Sequence, residues 1–146
     1  MKTSLLAALC LGGLISWARA GQSPDLMTLE VEPNTPISQG TLVTCHVTGA
    51  IPGAYLMILI SAMPGNYNLG LAHLDVLPPF MPILVGPLDP ASSASLSWTA
   101  GPVPQPLTGH ILYVQGLAVD IAEQQSIRRT WWVSNVDALV FGPAPN

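Results

Sequence analysis

The sequence predicts an all-β fold: a single β-sandwich of about seven or eight antiparallel strands with Greek-key, immunoglobulin-like connections, preceded by a signal peptide. Three observations lead to this prediction. The 15 prolines and 13 glycines recur between apolar runs, several runs alternate apolar and polar residues, and no stretch keeps a helical apolar stripe for three turns. Short strands separated by turn residues are typical of two packed antiparallel sheets.

The first two predicted strands alternate regularly. In "LMTLEVEP", Met27, Leu29 and Val31 share one face, and the following proline ends the strand. In "TLVTCHVTG", Cys45 lies on the apolar face and His46 on the opposite one. Both segments are therefore expected to be half-buried strands.

The next segments differ in character. "YLMILIS" is continuously apolar and predicts a central strand covered on both sides, whereas "AMPGNYNLG" is typical of a turn. Prolines divide "LAHLDVLPPFMPILVGPLDP" into short pieces, which predict one or two edge strands. "ASLSWT" alternates again, with Ala94, Leu96 and Trp98 facing inward.

The last third of the chain begins with "AGPVPQPLTG", a proline-rich connection expected to cross between the sheets. "HILYVQGLAVD" is apolar on both faces and predicts an interior strand. "EQQSIRR" reads as a polar turn, while "TWWVSN" and "DALVFG" form either one bent strand or a pair. Residues 21–146 are thus expected to form one domain.

The first twenty residues have the pattern of a secretory signal peptide. Lys2 precedes an uncharged apolar run, and Ala18 and Ala20 occupy the positions before a cleavage site at Gly21. We therefore expect cleavage of residues 1–20 and a secreted, extracellular or envelope-associated protein. No later run is long and apolar enough to predict a transmembrane segment.

The mature chain is acidic and contains no lysine. Arg128 and Arg129 are its only basic residues against eight acidic ones, a formal charge of −6. This composition excludes nucleic-acid binding, which requires several lysine or arginine contacts to phosphate, and it excludes Schiff-base lysine chemistry. Cys45 is its only cysteine, so an internal disulfide is excluded, while an intermolecular one stays open.

Two stretches resemble a pattern that recurs in secreted proteins of planctomycetes, myxobacteria and related bacteria. "PLTGHILYVQGLAVD" followed by "VSNVDALVFG" is similar to its Tyr-x-Gln strand and its Ser-Asn-x-x-x-Leu strand. "GTLVTCHVTGAIPGAYLMILIS" is similar to its first half. The resemblance implies a bacterial, extracellular or envelope-associated β-sandwich, and it transfers no activity and no catalytic residue.

Gln115 is the most unusual polar residue because its strand is apolar on both faces. It shares a face with Ile111, Tyr113 and Leu117, so we expect its amide to be buried. A buried amide must be hydrogen-bonded, and it carries no titratable proton. Gln115 and Tyr113 are therefore interpreted as structural residues, with a ligand contact at Gln115 as the alternative.

Cys45 lies between two valines on its strand face, which predicts a buried, unreactive thiol. His46 points to the opposite face and cannot serve as its base. A structural role is therefore expected for Cys45.

No other residues form a catalytic or metal-binding motif. His46, His73 and His110 lack zinc-motif spacing, and no Gly-x-Ser-x-Gly elbow is present. Asp120 and Glu123 are interpreted as part of a strand-end turn. The alternative is that their two carboxylates contribute to a calcium site. We therefore expect no catalytic residue, no cofactor and no metal.

Trp131 and Trp132 are neighbours on a predicted strand, so their rings point to opposite faces. Burial is the favoured interpretation for both, and an exposed ring would provide a platform for stacking on a sugar. The sequence therefore predicts a non-catalytic structural or interaction module that contacts a protein or glycan of the cell envelope. The alternative is a carbohydrate-binding module that uses Trp131 or Trp132.

Export can be tested directly. N-terminal sequencing of the exported protein is expected to begin at Gly21, because cleavage follows the Ala-Arg-Ala site. A retained Met1, or a lipid attached to Cys10, would contradict this prediction.

Overall fold

The structure, a computed structural model, describes residues 26–70, 72–121 and 130–143. Within these ranges the chain forms nine strands and one short 3-10 helix, Gln105–Leu107. The strands are β1 (Thr28–Glu32), β2 (Leu42–Thr48), β3 (Tyr55–Ser61), β4 (Pro64–Asn68), β5 (His73–Val76), β6 (Met81–Pro87), β7 (Ser93–Thr99), β8 (Ile111–Val119) and β9 (Trp131–Val140).

Seven of the strands form two antiparallel sheets. The three-stranded sheet has the order β1-β2-β7, and the four-stranded sheet has the order β6-β3-β8-β9. The chain passes from one sheet to the other between β2 and β3, between β6 and β7, and between β7 and β8. These crossings are those of a Greek-key sandwich, so the predicted all-β class is confirmed.

The inner core lies between the two sheets. Alternate residues of β1 and β2 point into it, as the sequence pattern predicts, and β7 contributes Ala94, Leu96 and Trp98 at its margin. Burial of one such aliphatic side chain contributes about 1.5–3 kcal/mol relative to an exposed position. Buried members include Leu29, Val31, Val43, Cys45, Val47, Leu56, Ile58, Val114 and Ala118.

A hairpin formed by β4 and β5 covers the outside of the four-stranded sheet and creates an outer core. Leu74 and Val76 of β5 pack there against Leu59 of β3 and Leu117 of β8. The hairpin explains the continuous apolar sequence of β3, because both faces of that strand are buried, as predicted.

The prediction of a turn at "AMPGNYNLG" is wrong, because Pro64–Asn68 forms β4. The pairing with β5 is irregular between Pro64 and Tyr67. Gly65 has a φ of +150°, and a Cβ there would lie 2.9 Å from Leu77 side-chain atoms, so this position requires glycine. The Tyr67 ring packs edge-on against Phe80 at 5.6 Å, a tertiary contact that local sequence preference cannot report.

The strand β9 is continuous from Trp131 to Val140 but carries a bulge. Gln115 pairs with Val136 and Leu117 pairs with Val133, so two residues of β9, Ser134 and Asn135, lie opposite Gly116 alone. The Ser134 hydroxyl accepts a hydrogen bond from the Gly116 N–H at 2.7 Å and donates one to its neighbour's carbonyl. The predicted alternatives for this region thus resolve into one bent strand.

The bulge creates a seam between β9 and β1, the facing edges of the two sheets. Asn135 accepts a hydrogen bond from the Leu29 N–H at 2.8 Å and donates one to the Leu29 carbonyl at 2.9 Å. Asp137 accepts a hydrogen bond from the Val31 N–H, also at 2.8 Å. Side chains therefore satisfy the backbone groups that an edge strand leaves unpaired.

We expect Asn135→Leu to lower the free energy of unfolding by about 1–3 kcal/mol, since it strands two backbone groups of Leu29. Denaturant melts measure the change. Asn66→Leu, on the exposed side of β4, is the matched control and should shift stability by no more than about 0.5 kcal/mol. Equal stability of Asn135→Leu and wild type would show that the seam does not hold β1.

Candidate functional site

Gln115 is completely buried in β8, beneath the hairpin. Its carbonyl oxygen accepts a hydrogen bond from the Asp75 N–H at 2.9 Å, and its amide nitrogen donates to the Ser134 carbonyl at 2.9 Å and to an Asp75 carboxylate oxygen at 3.3 Å. The expected burial is confirmed. Gln115 thus joins the four-stranded sheet to the hairpin, and Tyr113 packs in the outer core beside it.

Gln115→Leu is expected to lower the free energy of unfolding by about 1–3 kcal/mol, because the Asp75 N–H and the Ser134 carbonyl lose their partner. Gln115→Glu should lower it further near neutral pH, since a buried carboxylate would face Asp75. Denaturant melts decide the matter, with Gln105→Leu in the exposed 3-10 helix as the control. Two variants as stable as wild type would contradict the structural interpretation.

Ser61 secures the base of the same hairpin and was not identified from the sequence. Its hydroxyl donates a hydrogen bond to the Leu77 carbonyl and accepts one from the Met63 N–H. It is buried at the end of β3, where the hairpin begins and returns. The position of Ser61 at the end of an apolar strand did not by itself indicate this role, because Leu77 approaches the serine only in the folded hairpin.

Cys45 is a free thiol in the inner core, flanked across the sheet by Val31 and Leu96. The predicted burial is confirmed. Desolvation, and secondarily the negative charge of Asp137, raises the pKa of the Cys45 thiol from 9.0 to about 11. The thiol is therefore protonated at physiological pH and is a poor nucleophile.

The pKa of Cys45 predicts a pH-dependent stability. The unfolded chain releases the thiol proton near pH 9.0 and the folded chain near pH 11. The stabilisation that the buried thiol contributes to the fold is therefore complete below pH 9.0 and is lost as the pH rises through about 11. Cys45→Ala should lack this loss. Denaturant melts of both proteins at several pH values between 9.0 and about 11 measure this loss of stability. In a separate test of burial, labelling of the Cys45 thiol should be slow in buffer and fast in denaturant. Parallel pH profiles or rapid native labelling would contradict the prediction.

Trp131 and Trp132 point to opposite sides of β9, as predicted. Trp132 is 3% exposed and lies in the inner core, while Trp131 is half-buried in the outer core. Neither indole N–H has a hydrogen-bond partner in the part of the chain that the structure describes. The hypothesis that Trp132 stacks on a sugar is therefore wrong, because its ring is enclosed between the sheets.

The outward side of the three-stranded sheet carries a polar surface, here called the polar face. Its residues lie in cross-strand rows: the Thr28 and Thr48 hydroxyls are 2.6 Å apart, and those of Thr44 and Ser97 are 2.9 Å apart. The polar face consists of Thr28, Glu30, Glu32, Thr44, His46, Thr48, Ser93, Ser95, Ser97 and Thr99, with the exposed Leu42 at its margin opposite Thr99.

The central row of the polar face places Glu30, His46 and Ser95 side by side on three strands. His46 Nδ1 lies 2.8 Å from the Ser95 hydroxyl, and Glu30 occupies the cross-strand position on the other side of the ring. In a nucleophilic triad the carboxylate bonds the base that activates the hydroxyl. Within the described ranges no contact between the Glu30 carboxylate and the His46 ring is found, so the row is a hydrogen-bonded pair beside an acid.

The remaining candidate residues do not converge. His73 lies on β5 and His110 precedes β8, and no group of three His, Cys, Asp or Glu side chains suited to a metal occurs among the described residues. Asp120 follows β8, while Glu123, its expected partner in a calcium corner, lies outside the described ranges, as do the first twenty residues and Arg128 and Arg129.

Asp89 stabilises a turn after β6 with its own side chain. Its carboxylate accepts hydrogen bonds from the backbone N–H and hydroxyl of Ser93, both at 2.8 Å, and from the Ala91 N–H at 2.9 Å. The bonds from Ser93 are the main reason that the pKa of Asp89 lies below its ordinary value. This carboxylate is thus committed to the turn.

Comparison of the chain with protein-family models and with curated proteins finds no match. Among the described residues, no helix is both long and apolar enough to span a membrane.

Proposed function

We propose that this chain is a secreted, non-catalytic β-sandwich that acts as a structural or interaction module of the cell envelope or exterior, and that the polar face is its contact surface. The observation that carries the proposal is the ordered row structure of the polar face, in which exposed side chains bond across strands. The signal-peptide pattern supports the exterior location.

Most side chains of the polar face are those of Ser and Thr, which are short, and several are already hydrogen-bonded to one another. Ser, Thr and His lose little rotational freedom when a partner contacts them, so little of the interaction energy is spent on ordering the surface. Long Lys, Arg or Gln side chains would lose more. The composition of the polar face is therefore better suited to binding a partner than to contact with water alone.

The charge of the polar face limits the kind of partner. Glu30 and Glu32 are its only carboxylates, and no Lys or Arg occurs in the described ranges. An anionic polymer would be repelled, whereas a neutral or basic protein segment or a neutral glycan is compatible in charge. A glycan would here meet hydroxyl and imidazole groups instead of the Trp132 ring.

Other polar groups support the non-catalytic part of the proposal because they are bonded within the fold. Gln115 joins β8 to the hairpin, and Asn135 and Asp137 hold β1. A nucleophilic cysteine requires a lowered pKa, whereas that of Cys45 is raised to about 11.

The test uses the exported protein in its source cells, with a photo-crosslinking amino acid at Thr99, at the margin of the polar face. A discrete adduct is expected, and adding Ser95→Arg should abolish it by placing a long cation in the centre of the face. Asn66→Arg, the same change on the exposed side of β4, should leave the adduct intact. Absence of an adduct at Thr99, or an adduct that survives Ser95→Arg, would contradict the proposal. Mass spectrometry of the digested adduct identifies the partner: a second peptide on the crosslinked residue indicates a protein, and a saccharide indicates a glycan. Both are consistent with the module.

A further inference from the structure

A cavity of about 240 Å³ opens at one end of the sandwich. It lies where the proline-rich connection between β7 and β8 passes over the gap between the two sheets. Val43, Trp98 and Leu139 form its inner wall, and Ile37, Val103 and Phe141 lie around it. This region is called the end cavity below.

The wall of the end cavity is held in place by backbone hydrogen bonds. Ala100 bonds Thr41 and Gly40, each at 2.8 Å, which fixes the start of the connection to the three-stranded sheet. Phe141 receives a hydrogen bond from Gly109 at 2.7 Å and donates one to the His110 carbonyl at 3.1 Å, which fixes the other end to β9.

Proline adds to this rigidity. Pro102 and Pro104 belong to the wall, and Pro106 follows in the 3-10 helix, so φ is restricted at three positions of the connection. Leu107 closes a turn by donating a hydrogen bond to the Pro104 carbonyl at 2.8 Å. The cavity is therefore built into the fold, and a ligand would not have to order its wall.

The chemistry of the lining restricts the ligand. None of the residues that line the end cavity is ionisable, and it offers two aromatic rings, Trp98 and Phe141. A charged group would lose its hydration there without a partner. Aromatic rings favour stacked or edge-on contact with another ring.

The volume restricts the size of the ligand. An apolar cavity of about 150 Å³ suffices for benzene, and the end cavity, at about 240 Å³, has room for a substituted ring. We propose that the end cavity is a binding site for a small neutral aromatic molecule, somewhat larger than benzene. This site is separate from the polar face and does not depend on the function proposed above.

The experiment uses the mature protein with toluene as the probe and benzoate, an anion on the same ring, as the matched compound. Toluene is expected to raise the Tm in a saturable manner, because it binds the folded state only. Benzoate should bind at least about tenfold more weakly, since its charge must enter an apolar site. No rise with toluene, or an equal rise with benzoate, would overturn the proposal.

Two variants locate the effect. Val103→Trp should fill the cavity from its wall and abolish the rise in Tm with toluene, whereas Val140→Trp, the same change at an exposed position of β9, should retain it. Phe141→Ala enlarges the cavity and should shift preference from toluene to naphthalene, which keeps the test decisive if Val103→Trp fails to fold. An undiminished response in folded Val103→Trp, or an unchanged preference in Phe141→Ala, would place toluene elsewhere.

Discussion

The segment of β9 from Ser134 to Asp137 connects the three layers of this molecule. The bulge at Ser134 and Asn135 bonds Gly116 of β8, while Asn135 and Asp137 bond the backbone of β1. The Ser134 carbonyl also accepts the Gln115 amide, whose oxygen in turn accepts a hydrogen bond from the hairpin. A sandwich with unpaired edges leaves backbone groups that must find partners, and here Asn135 and Asp137 supply them for Leu29 and Val31 of β1.

The polar residues of the chain divide into two groups. One group, represented by Gln115, Ser61 and Asp137, is engaged with backbone groups and stabilises the fold. The second group lies on the polar face, where His46 and its neighbours bond one another and remain open to solvent. This division is what makes the polar face, and not the buried amide, the better candidate for contact with a partner.

The proline-rich, uncharged connection between β7 and β8 explains why the end cavity is apolar. Few charges and many prolines make a connection that is stiff and apolar, so the gap between the sheets at this end is bordered by Trp98, Val103 and Phe141 without an ionisable group. In a typical sandwich the ends are covered by polar loops. The apolar connection thus leaves one end of the inner core accessible through the cavity mouth.

Sequence patterns alone predict the strand class, the inward faces of β1, β2 and β7, the two-sided burial of β3 and the burial of Gln115 and Cys45. These follow from alternation with period two, which is a local property of the chain. Two features emerge only from the folded chain: Pro64–Asn68 is a strand, and Asn135 reaches β1. The fold likewise places Trp132 in the inner core and Trp131 in the outer core, and it brings Glu30 beside His46. Pairings between distant segments depend on register and on the β9 bulge, and no periodicity within one strand encodes which other strand will lie beside it.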